Sequence, residues 1–99
     1  MSNKTIFRAG NKYFLNLQGW QEDASVCYFI KVNQYGDKKR YNDCEIKIRD
    51  CEDTVRLNLS VSSKESLKNS LFKLDKMIAV LQAAKEDLKK ARKVYKNGV

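Results

Sequence analysis

The chain has 99 residues, 42% hydrophobic and 32% charged, with a net charge of +8, three cysteines, no histidine and no proline. That length supports one domain, 1–99, with one modest core, and the apolar fraction excludes a disordered chain. The missing histidine removes the commonest general base and metal ligand, no serine lies in a nucleophile-elbow sequence, and the cysteines match no zinc spacing, so a non-enzymatic protein without metal or cofactor is expected.

No run of about 18 apolar residues is present, and the first residues lack the apolar stretch of a signal peptide, which makes the cytosol the expected compartment. Cys27, Cys44 and Cys51 then read as reduced thiols used as small apolar residues, with an intermolecular bridge through Cys51 as the minor reading. The charge is unevenly spread. Residues 62–99 carry ten basic against four acidic side chains, while 1–25 and 26–61 are each close to neutral. A basic patch of this kind points to a polyanionic partner.

In chain order, the N-terminus is polar apart from Ile6 and Phe7, and a short extra strand or arm is expected around 5–8, followed by a turn at Gly10-Asn11. A first clear strand is expected over 12–18, where Tyr13, Leu15 and Leu17 alternate with Phe14, Asn16 and Gln18. A loop containing Trp20 leads to a second strand over 26–34, with Val26, Tyr28, Ile30 and Val32 on one side and Cys27, Phe29, Lys31 and Asn33 on the other. Tyr35-Gly36-Asp37 supplies a reversal. The third strand runs to about Arg49, with Cys44, Ile46 and Ile48 alternating with polar residues, and the fourth, over 54–60, sets Val55, Leu57 and Leu59 against Arg56, Asn58 and Ser60. Short links make antiparallel neighbours the simplest arrangement.

From 62 to 97 there is no glycine or proline, and Leu67, Leu71, Leu74, Ile78, Leu81, Ala84, Leu88, Ala91 and Tyr95 recur at helical steps. Ser62 and Glu65 form a capping-box sequence, and Asn97-Gly98 is a stop signal. The fold class expected is α+β: a four-stranded antiparallel β-meander over 5–61 followed by one long C-terminal α-helix over 63–97, packed on one sheet face.

Such a helix is roughly 50 Å long, whereas strands of six to nine residues span about 20–30 Å. The distal half then has three readings: pairing with a second copy through a seam of Ala84, Leu88, Ala91 and Tyr95, with Lys85 and Arg92 intruding on a strict heptad; a basic arm using Lys89 and Lys93 on phosphates; or a hairpin broken near Gln82-Ala83-Ala84, which good helix formers oppose. Pairing as a homodimer or higher homo-oligomer is preferred on the length mismatch. Membrane binding is disfavoured, because the wider apolar half is needed for the core.

The sheet face away from the helix presents Phe14, Phe29, Tyr41, Lys31, Lys47, Arg49 and Arg56, with Trp20 at its edge. Rings that stack on bases, among cations that neutralise phosphates, are what a single-stranded nucleic-acid surface needs. An outward aromatic patch also serves protein interfaces, and Asp43 and Glu45 interrupt the basic character. In architecture alone, a meander followed by a long dimerising helix resembles the single-stranded DNA-binding coactivator and Whirly class and the PUR-repeat proteins. The expectation is a small single-stranded DNA- or RNA-binding protein; the alternative is a homo-oligomeric interaction or inhibitor module, of the kind a phage encodes as an accessory protein, that grips a protein partner.

Overall fold

The computed structural model of the protein describes residues 3–16, 24–37 and 39–96. Four strands come first, β1 (Asn3–Phe14), β2 (Ala24–Tyr35), β3 (Lys39–Asp50) and β4 (Asp53–Leu59), and one helix follows, α1 (Lys64–Lys96). The strands pair antiparallel in the order β1-β2-β3-β4, the expected meander of an α+β chain. The chain divides into two compact units: Met1–Leu67 holds the sheet and the first helical turn, and Lys68–Val99 holds the remainder of the helix.

Alternation of apolar and polar residues explains β2, β3 and β4. The register sets Val26 opposite Ile48, Tyr28 opposite Ile46 and Ile30 opposite Cys44, and carries on with Leu59, Leu57 and Val55 of β4. Since directly paired residues project to the same side, these form one apolar face. The strands are longer than their apolar runs: β2 and β3 each have 12 residues, because polar and charged residues at both ends still pair. At that length they span about 40 Å, which removes most of the expected mismatch with the helix.

The N-terminal expectation is corrected. In place of an arm at 5–8, a turn at Gly10-Asn11 and a strand over 12–18, β1 is continuous from Asn3 to Phe14, and no turn interrupts it. Gly10 pairs with Phe29, and a Cβ at Gly10 would stand 2.6 Å from the Tyr28 carbonyl oxygen. The glycine therefore serves a close approach between backbones, which is the other use of glycine in strands. The register shifts between Thr5 and Phe7, so Ile6 is the extra residue of a bulge. Leu15 lies beyond the strand end, tied by its N–H to the Ala24 carbonyl at 3.0 Å. Leu17, Gln18 and Trp20 lie outside the described residues, as does the expected stop at Asn97-Gly98.

The β2–β3 and β3–β4 hairpins follow the turn signals. Gly36 takes φ 64° after β2, and Gln34 Nε2 donates to its carbonyl at 2.9 Å. Between β3 and β4, Asp50 pairs with Asp53 across a two-residue loop in which Cys51 takes φ 54°. A non-glycine residue in that region costs about 1–2 kcal/mol. At the exit of β4, Asn42 Oδ1 accepts from the Val61 N–H at 3.1 Å and so ties the chain back to β3.

The helix begins one residue later than the Ser62–Glu65 pattern indicates. Ser63 is the N-cap: its Oγ accepts from the Ser66 N–H at 3.0 Å, and Ser66 Oγ accepts from the Ser63 N–H at 2.9 Å. This is a capping box with serine in place of the usual glutamate. From there α1 runs unbroken for 33 residues, so the hairpin reading near Gln82-Ala83-Ala84 is excluded. Lys93 and Lys96 in its last turn suit the macrodipole. No helix among the described residues is long and apolar enough to cross a membrane.

Burial is slight. Among the described residues the buried apolar ones are Ala24 and Cys44, and no large side chain is fully buried. Phe7, Tyr13, Tyr28 and Val55 of the apolar sheet face are exposed. The helix stripe expected to be covered as far as Leu81 is exposed at Leu67, Leu71, Ile78 and Leu81, and so is Phe72. Leu67, Leu71, Ile78 and Leu81 fall within about 80° of one another around the helix, so one continuous stripe of α1 stays open to solvent.

Candidate nucleic-acid interface

Because the register fixes which side each strand residue takes, it also decides which candidate residues share a surface. Phe14 pairs with Ser25, Lys31 with Asp43, Tyr41 with Asn33, Arg49 with Ser25 and Arg56 with Lys47, while Phe29 pairs with Glu45. Phe14, Phe29, Lys31, Tyr41, Lys47, Arg49 and Arg56 therefore all lie on the face opposite the apolar one.

Along β2 this face is built in rows. Phe14, Ser25, Arg49 and Thr54 form one; Lys12, Cys27, Lys47 and Arg56 the next; then Gly10, Phe29, Glu45 and Asn58; then Arg8, Lys31 and Asp43; then Thr5, Asn33 and Tyr41; and Tyr35 with Lys39 at the far end. Rings and cations alternate over about 30 Å of strand. Phe29 has glycine for its β1 neighbour, so no β1 side chain stands beside its ring. Phe14 is 74% exposed, and Lys12 Nζ lies 5.3 Å from its centroid. At the other end the Tyr35 and Tyr41 rings meet edge to face, 5.1 Å apart at 81°.

Charge separates by face. Arg8, Lys12, Lys31, Lys39, Lys47, Arg49 and Arg56 stand here against Asp43 and Glu45, whereas the apolar face has Lys4 and Arg40 against Asp50 and Asp53. Lys47 and Arg56 are directly opposite across β3 and β4, and neither joins an ion pair with another described residue. Like charges so placed repel, a cost that an anion laid across both would remove. Arg49 is held by a hydrogen bond from its Nε to the Cys51 carbonyl at 3.3 Å.

Trp20 lies outside the described residues. Lys89 and Lys93 belong to the helical unit, one turn apart on the same side of α1, with Lys89 bridged to Glu86 at 3.3 Å. Ala84, Leu88, Ala91 and Tyr95 are exposed on α1, Leu88 at 71% and Tyr95 at 81%. Sequence reasoning passes over Tyr35, Lys39, Arg8 and Lys12. The alternation Phe29–Lys31–Asn33 continues to Tyr35 without a break, but the adjoining glycine makes that residue read as turn.

No protein-family model, curated protein or solved structure matches the chain.

Proposed function

We propose that the protein binds single-stranded DNA or RNA across the aromatic and basic face of its sheet, without strong sequence preference. The observation that carries this is the alternation of rows on one face: Phe14, then Lys12, Lys47 and Arg56, then Phe29, then Arg8 and Lys31, then Tyr41. Successive bases stack on the rings, and the cations between them meet phosphates. The Lys47–Arg56 pair is the favoured phosphate position, since it holds two positive charges side by side and neither joins an ion pair with another described residue. Lys89 and Lys93 add general attraction for a polyanion. The reading includes association of two copies, treated below.

The test is fluorescence anisotropy of labelled single-stranded 12-mers, an oligonucleotide length on the order of one sheet-face site. Binding at about 50 mM salt that falls steeply towards about 200 mM is expected. Phe29→Ala should weaken it by roughly 1–3 kcal/mol, the worth of one stacked base. Absence of binding at about 50 mM ends this reading and leaves the face to a protein partner, the interaction or inhibitor role.

A further inference from the structure

We infer that α1 pairs with α1 of a second copy in antiparallel fashion, with residues 82 and 83 at the crossing point. The inference concerns only the association of copies and does not depend on what the sheet face binds.

Read in sevens, the helix shows a stricter pattern than its apolar stripe. One position of the heptad is always large: Leu74, Leu81, Leu88 and Tyr95. The other is Met77, Ala84 and Ala91. These alternate at steps of three and four without a break, which is the seam of a two-helix coil. The seam is open for most of its length, with Leu81, Ala84, Leu88, Ala91 and Tyr95 all exposed and Leu74 and Met77 half-buried. Ser70, the next member of the series, is buried within the chain, so the pairing is drawn over the six layers from Leu74 to Ala91.

Size and charge select the direction. A parallel pair stacks like on like, with Leu–Leu layers next to Ala–Ala layers too thin to fill the same gap. The antiparallel pair sets Leu74 against the partner's Ala91, Leu81 against the partner's Ala84 and Leu88 against the partner's Met77. A large residue then meets a smaller or more pliant one in every layer, and the helix axes can keep one separation. The flanks agree. In this register Lys85 runs beside the partner's Ile78 and Arg92 beside the partner's Leu71, so each lays an aliphatic stem over an exposed apolar side chain and keeps its charge in water. The two cations that look like intruders in a heptad thus become its cover. A parallel pair instead brings the two strongly basic distal halves together, and the helix dipoles with them.

Two measurements test this. A spin label at Lys93→Cys, with Cys27, Cys44 and Cys51 replaced by alanine, should give an inter-copy distance of about 35 Å, from the helical rise and interaxial spacing. A distance below about 25 Å means a parallel pair and overturns the inference. The second leaves the native cysteines in place. Ala84→Leu overfills two layers of the antiparallel pair and should raise the dimer dissociation constant about tenfold in light scattering. The same change would tighten a parallel coil by giving it matched leucines, so a more stable dimer contradicts the proposal, as does a wild-type chain that remains monomeric without nucleic acid.

Discussion

At Gly10 a single hydrogen in place of a methyl group decides how closely β1 and β2 approach. A Cβ there would be 2.6 Å from the Tyr28 carbonyl oxygen and 3.2 Å from the Phe29 Cβ. The first of these neighbours is backbone in the sheet interior, which cannot swing aside as a side chain can. Gly10→Ala should therefore destabilise the sheet by about 1–3 kcal/mol in chemical denaturation, the usual range for overpacking. An unchanged midpoint would mean that the strands separate locally without penalty. Cys51 is the opposite case, a residue with a Cβ in a conformation that favours glycine. As the exposed member of the three free cysteines, it lies at a hairpin tip where the cost falls on two loop residues alone.

At the scale of elements, the start of α1 depends on a reciprocal pair of serines. Ser63→Ala removes the acceptor for the Ser66 N–H and should cost about 1 kcal/mol, read as a lower thermal midpoint; Ser63→Asp should restore it. If both variants melt with the wild type, the cap is not holding the helix end. The elements also show where sequence is readable. The side taken by each residue of β2, β3 and β4 is legible in the alternation of Ile30, Ile46 and Leu57 with Phe29, Lys47 and Arg56, and the register agrees at each of these positions. Strand ends are not legible, because Lys39, Arg40, Asn3 and Lys4 pair through their backbones whatever their side chains. The first strand is misread for two separate reasons: Gly10-Asn11 looks like a turn when it is a close approach, and the bulge at Ile6 breaks the period. The cap shifts by one residue because Ser62 and Ser63 offer the same hydroxyl, and it is Ser63 Oγ that accepts the Ser66 N–H.

The whole molecule exposes apolar surface on its sheet and along its helix, while buried apolar residues among those described are limited to Ala24 and Cys44. So little buried area offsets little of the chain entropy lost on folding, and the proposed association of copies would add to that area. The seam is only partly readable in the sequence. Ala84, Leu88, Ala91 and Tyr95 are visible as helical steps, but the antiparallel direction proposed for them rests on the sizes and charges set against one another along an unbroken α1. The other face of the sheet follows a different logic, since burial does not call for rings and cations in alternating rows. Its candidate residues are legible one strand at a time; that Lys47 and Arg56 are direct neighbours is a fact of register. The most direct test is the salt dependence of oligonucleotide binding in the Lys47→Gln, Arg56→Gln double variant. Two lost phosphate contacts should reduce the slope of log K against log salt by about 1.4, at about 0.7 per contact on a single strand, without lowering the thermal midpoint, because a repulsive pair has been removed. An unchanged slope would contradict the placement of nucleic acid on this face.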